Sequence, residues 1–245
     1  MIAAITLLSC GMQSSRPALR TRGADSIMTL AAPPTADAAT SALLAAAEDF
    51  INEKSGFYSP YTADAFADDF VFRGPVIGPL NKADYLSTMD TFKVYKAFPD
   101  ISPNAFGFTA DPMEPRRVWF FVRNTGTNTG PFGLGYGLEA PPSGNSVLGP
   151  PEAFSITFDD ADRVKLLTVG YVADRFQGNT GGVGAAFGLL RVAGIPLPKG
   201  FLYRAAVALS NRLPGATAKS CTKSEEVPAW WLEKSEERGP DGYNL

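Results

Sequence analysis

Hydrophobic positions fall at two different periods along this chain, helical in the first part and alternating in the second. After Pro33-Pro34, Leu43, Leu44, Ala47, Phe50 and Ile51 recur at helical spacing. Thr35 or Asp37 supplies the cap and Gly56 the stop. A short helix over 62–67 then leads into a strand around 69–73. Asn81 caps a third helix with the stripe Tyr85, Leu86, Met89 and Phe92, ending before Pro99. Beyond it the period drops to two. Val118, Phe120 and Val122 alternate with Trp119, Phe121 and Arg123, and Phe154, Ile156 and Phe158 alternate with Ser155 and Thr157. Asp159-Asp160 makes a turn, and 164–176 reads as a long strand. Helices followed by antiparallel strands is an α+β order, unlike the βαβ alternation of a nucleotide-binding sheet. The helices should cover one face of a curved sheet, whose hollow forms a pocket.

The ends read differently from the middle. Residues 1–31 hold Arg16, Arg20 and Arg22 against Asp25 alone, with many Ser, Thr and Ala. That composition is expected of an organelle transit peptide, plastid before mitochondrion, with a disordered tail as the alternative. Residues 36–180 then form the folded domain, and 181–245 an extension. In the extension Phe201, Ala205 and Leu209 share a helical face flanked by Arg204 and Arg212, as in a C-terminal helical hairpin packed on the body or on a second copy in a homodimer. An apolar face with basic borders also suits a membrane surface or a protein complex, through 183–213. Trp230-Trp231 would pin the polar tail to the body or serve as a partner-binding peg.

Composition narrows the chemistry. The 245 residues are 45% hydrophobic and 19% charged, with a net charge of −3. No cluster of Lys and Arg offers a surface for nucleic acid. The chain has no histidine, which excludes a Ser-His-Asp or Cys-His enzyme and removes the commonest zinc ligand. No metal site and no cofactor is expected. Of the two cysteines, Cys10 lies in the leader and Cys221 is left alone. Gly178-Asn179-Thr180-Gly181-Gly182-Val183-Gly184 follows a strand, as a phosphate loop would. It lacks the Lys-Ser/Thr ending of one, and it fails the dinucleotide spacing at Phe187.

Five short stretches stand in one order: Phe66-Ala67-Asp68-Asp69-Phe70, Phe98-Pro99-Asp100-Ile101, Gly126-Thr127-Asn128-Thr129-Gly130-Pro131-Phe132, Pro141-Pro142-Ser143-Gly144 and Gly170-Tyr171-Val172-Ala173-Asp174. Together they resemble the SnoaL-like (polyketide-cyclase-like) family of the NTF2-like superfamily, over roughly residues 40–180. The resemblance implies an NTF2-like cone-shaped barrel, a curved antiparallel sheet wrapped by three N-terminal helices, with the C-terminal hairpin as an addition. This chain departs from the family pattern in three ways. Asn128 stands where a histidine is usual, Gly170 where a tryptophan is common, and the closing QLG is missing. Gly170 would leave the pocket wider. Seven glycines from Gly126 to Gly149 loosen a loop that could act as a lid.

The resemblance makes Asp174 the candidate catalytic group. On a regular strand it shares a face with Leu166, Thr168, Gly170 and Val172, and desolvation on a pocket face would raise its pKa. It would then take a proton beside a carbonyl, or else simply pair with a cation such as Arg175. Asn128, Tyr136 and Tyr85 are candidate donors to an enolate, Trp119 and Phe154 lining, and Arg123 an anion contact or an outer-edge residue. Two functions are open. One is a cofactor-free cyclase or isomerase acting on a small, largely apolar or carbonyl-containing ligand. The other is a non-catalytic pocket that holds a lipid or pigment, or a subunit of an organelle complex.

Overall fold

The structure, a computed structural model, describes residues 37–135, 137–196 and 218–236. The leader at 1–31, the stripe of Phe201, Ala205 and Leu209, and Tyr136 lie outside the described residues.

Asp37 caps the first helix, α1 (Ala38–Asp49), its Oδ1 accepting from the Thr40 amide at 2.7 Å. α1 runs on into a π-helical turn, Phe50–Lys54. Gly56 then turns the chain at φ +85°, where a Cβ would press on Tyr61 and Met89. The expected second helix is a single 3₁₀ turn, Ala63–Ala65, running straight into β1 (Phe66–Arg73). β2 (Leu80–Asn81) leads into α2 (Lys82–Phe92), capped as expected by Asn81, whose Oδ1 accepts from the Asp84 amide. Lys93, at φ +40°, breaks the helix before a last turn, α3 (Val94–Ala97).

The strand half follows as β3 (Phe106–Ala110), β4 (Arg117–Val122), β5 (Thr125–Thr127), β6 (Phe132–Gly135), β7 (Leu138–Ala140), β8 (Ser146–Leu148), β9 (Glu152–Phe158) and β10 (Val164–Val172). Six of the strands make one sheet in the order β2-β1-β10-β9-β4-β3. β1 pairs in parallel with β10, and the other neighbours are antiparallel. The fold is α+β, with a curved, antiparallel-rich sheet that does not close.

Val118, Phe120, Val122, Phe154, Ile156 and Phe158 all face inward, as their alternation requires, against Phe50, Phe66, Phe70 and Tyr85. A second core joins Phe98 and Phe132 to Leu189 and Leu190 of α4 (Ala185–Val192). Part of the glycine-rich loop expected to act as a lid is held in place, at Gly130 and Gly133. Gly130 and Gly133 lie so close to the backbones at Lys96 and Thr91 that a Cβ at either would come within 2.0 Å of a carbonyl oxygen. They let β6 press directly on the α2–α3 corner.

The C-terminal segment closes over β2. Gly78 N–H donates to Ser220 O and Thr222 N–H to Pro79 O, both at 2.8 Å. Buried Asp84 accepts from the Thr222 hydroxyl and pairs with Lys219 Nζ, each at 2.6 Å. In α5 (Ala229–Glu236) Trp230 donates from Nε1 to Asp69 O at 2.9 Å, with Lys165 over its ring. Trp230 is therefore a pin.

Candidate functional site: an apolar cavity beside a buried carboxyl

Between α2 and the inner face of the sheet lies a cavity of about 420 Å³. Its floor is Phe154 from β9 and Leu167 and Val169 from β10. One side is Tyr85, Thr88 and Met89 of α2, the other Ile51, Phe57 and Tyr58 after α1, and the roof is 182–187 at the start of α4. Among the described residues no Asp, Glu, Lys or Arg lines it. Its buried hydroxyls already have acceptors. Ser55 donates to Ile51 O, Tyr58 to Asn124 Oδ1, Tyr85 to Ser55 O and Thr88 to Asp84 O, at 2.7 to 3.0 Å. Burial holds both the Tyr85 and the Tyr58 phenols above their usual range, with the Glu152 charge adding to the effect at Tyr58.

Strand β10 decides where Asp174 goes. Leu167 and Val169 belong to the core, whereas Thr168 faces outward, its hydroxyl 2.6 Å from that of Ser155. At Gly170 (φ +80°) a bulge intervenes, three steps along β10 from Thr168 to Tyr171 matching two along β9 from Ser155 to Ala153. The phase reverses there: Val172 pairs with inward Glu152 and Tyr171, 38% exposed, with outward Ala153, while all three residues 170–172 border the cavity. The strand ends at Val172. Asp174 lies past it in a turn, accepting from Gln177 Nε2 at 2.8 Å and from the Phe176 amide at 3.0 Å. Those bonds, chiefly the one from Gln177, hold its carboxyl below the usual range. The regular-strand reading of Asp174 as a base desolvated in a pocket is corrected on both counts.

The other expected site residues divide. Tyr85, Phe154 and Gly170 line the cavity together. Gly170 does not widen it: a Cβ there would meet the Ala185 Cβ at 3.1 Å and Pro75 Cδ at 3.5 Å, so the glycine makes room for the roof. Trp119 stands on the outer face, donating to Asp111 at 2.7 Å beneath the Arg117 guanidinium. Arg123 is not in the cavity wall, and its charge acts on Asp174. Asn128 is fully buried elsewhere as a loop staple, donating to Ala97 O and Gly130 O and accepting from the Ser143 amide. Tyr136 lies outside the described residues.

Glu152 is the residue that the sequence reading passed over. It opens β9, two positions before Phe154, and so points to the inner face, where it is 1% exposed. Oε2 accepts from the Ala185 amide at 2.7 Å, and Oε1 from Asn124 Nδ2 at 3.4 Å. Burial outweighs these bonds and pushes its carboxyl up to about 7. It stands one layer behind the cavity wall: Ala185 and Gly184 line the cavity and lie over the carboxyl. The signal was available, since Glu152 extends the inward positions 154, 156 and 158 by one step. Among the described residues no group of three or more His, Cys, Asp and Glu side chains could hold a metal ion, and no helix is long and apolar enough to cross a membrane.

No family model matches the chain, and no curated protein matches it. Solved structures do. A protein from Jannaschia sp. CCS1 assigned as a SnoaL-like polyketide cyclase is 14% identical, covering 67% of this chain and 99% of its own, at a TM-score of 0.45. A phenazine biosynthesis-related protein from Pseudomonas aeruginosa is 16% identical, covering 69% and 93%, at 0.40. An NTF2-like protein from Anabaena variabilis is 16% identical, covering 57% and 95%, at 0.39. A ketosteroid isomerase and an epoxide hydrolase also match. Fold and cavity together define an α+β protein with an apolar cavity between helices and sheet.

Proposed function

We propose that this protein holds a small, neutral, apolar molecule in the cavity between α2 and the sheet. The observation that carries this reading is the chemistry of the wall, where no described charged side chain faces the space and each buried hydroxyl is already a donor elsewhere. Such a wall can accept a hydrogen bond from an occupant but offers nothing to balance a charge, and an unpaired ion there would cost several kcal/mol. A volume of about 420 Å³ suits a small molecule rather than a peptide. Mass spectrometry of the protein isolated natively from its source tests this. The expected result is a neutral hydrocarbon-rich species bound one to one; an anionic or strongly polar species refutes the reading.

Catalysis by a carboxylate is the second reading, favoured by Glu152 alone. A proton abstraction here would fall to Glu152 rather than Asp174, after movement of Gly184 and Ala185 off its carboxyl. Turnover of a neutral carbonyl compound that is abolished by Glu152→Gln, with ligand binding retained, supports it. Delivery to an organelle by residues 1–31 is a separate proposal, supported by their basic, acid-poor composition. N-terminal sequencing of the native protein tests it, an unprocessed Met1 counting against it.

A further inference from the structure

The cavity roof is attached to the rest of the protein at two firm places. On one side Asn179 is bonded to β8, its amide donating to Leu148 O and its side-chain Nδ2 to Ser146 O, both at 2.8 Å. On the other side Leu189, Leu190 and Val192 sit in the second core. Between these anchors the chain passes through Gly181, Gly182 and Gly184 and over the cavity. There the Ala185 amide donates to Glu152 Oε2 at 2.7 Å, tying the roof to β9. Ala185 takes up this bond at φ +47°, a left-handed conformation unfavourable to alanine.

We propose that Glu152 is a latch: as a neutral carboxyl it keeps the 182–187 roof closed over the cavity, and its ionisation releases that roof and admits or frees the occupant. The release follows from what surrounds the carboxyl. Facing it are the Tyr58 phenol from the segment after α1, the Asn124 amide after β4 and the Ala185 amide of α4. Its strand neighbours are Val122 on β4 and Val172 on β10. None of the described ion pairs includes Glu152. Among the described residues no cation pairs with a carboxylate there, and burial shuts it off from bulk solvent. Water can reach it by displacement of Gly184 and Ala185: Gly184 lies so close that a Cβ on it would come within 2.7 Å of Oε2. Release frees Ala185 from its left-handed angle. The closed carboxyl titrates near 7 and a hydrated one at 4.5, so the open fraction should rise about 25-fold between pH 5.5 and pH 8.

The test is amide hydrogen exchange of the whole protein without ligand, corrected for the intrinsic pH dependence of exchange. The amides of 184–188 should lose about 25-fold in protection between pH 5.5 and 8, while those of Ile156 and Leu167 in the core strands hold theirs. In Glu152→Gln, which keeps an acceptor for Ala185 but cannot ionise, the roof should stay protected at both values. A flat wild-type profile overturns the latch even if the variant fails to fold. So does a variant that follows the wild type, or a loss of protection shared by the core strands. The release of 1-decanol, measured in stopped flow, should speed up in parallel. This last part rests on the binding reading. Should 1-decanol not bind, that reading fails, while the amide profile still decides the latch.

Discussion

A carboxyl that prefers to be protonated in the folded protein makes stability fall as pH rises, the reverse of the usual acidic residue. Glu152 titrates near 7 folded and at 4.5 when hydrated. Between those values the native state binds the extra proton, so its contribution is intact below pH 4.5 and is lost progressively up to pH 7. At 1.36 kcal/mol for each pKa unit, the loss by pH 8 is about 3 kcal/mol. Glu152→Gln removes the charge and keeps an acceptor for Ala185. The variant should therefore be more stable than the wild type by about 2 to 3 kcal/mol at pH 8 and nearly equal to it at pH 4.5. Urea denaturation at a series of pH values measures both. Acids whose carboxyls are held low, such as Asp68 and Asp111, act mainly below pH 4 and leave this window clear. A variant less stable than the wild type at pH 8, or a pH profile it shares with the wild type, refutes the argument from desolvation.

Gly170→Ala should cost about 1 to 2 kcal/mol, because the residue sits at φ +80° with Ala185 3.1 Å from the added methyl; a urea midpoint equal to the wild type's would count against the bulge. Asp174→Asn should change neither stability beyond about 0.5 kcal/mol nor the affinity for 1-decanol, as calorimetry would show, since its carboxyl is bonded only within its own surface turn. Trp230→Ala should free the C-terminal segment, seen as faster limited proteolysis between Lys219 and Lys223, because its indole bond to Asp69 O and its contact with Lys165 are lost.

Much of the architecture was legible in the sequence because it depends on local periods. The stripe of α2, its Asn81 cap and the inward sets on β4 and β9 all follow from spacing alone. The parallel pairing of β1 with β10 joins segments about a hundred residues apart and leaves no local mark. The site was harder to read for a sharper reason. Alternation along β10 assigns faces only while the strand is regular, and one extra residue at Gly170 reverses every side chain beyond it. The bulge turns Gly170 and Val172 to the cavity, and Asp174 was assigned by continuing that alternation past Val172, where the strand ends and the chain turns. Gly170 was read as empty space, when the place of its missing side chain is filled by Ala185 at the start of α4. Asn128 looked like a pocket donor, yet its side chain is bonded to the end of α3 and to the loops at Gly130 and Ser143. Glu152 was within reach, being an acid in register with three inward aromatic and aliphatic residues.

On the proposed function the cavity takes neutral apolar molecules and rejects ions. Calorimetric titration at pH 8 with 1-decanol, methyl decanoate and decanoate, equal in chain length, tests it most directly. The two neutral compounds should bind one to one, and decanoate at least about 100-fold more weakly, because its charge would enter an unpaired apolar space. Decanoate binding as tightly as the alcohol, or none of the three binding, would contradict the claim.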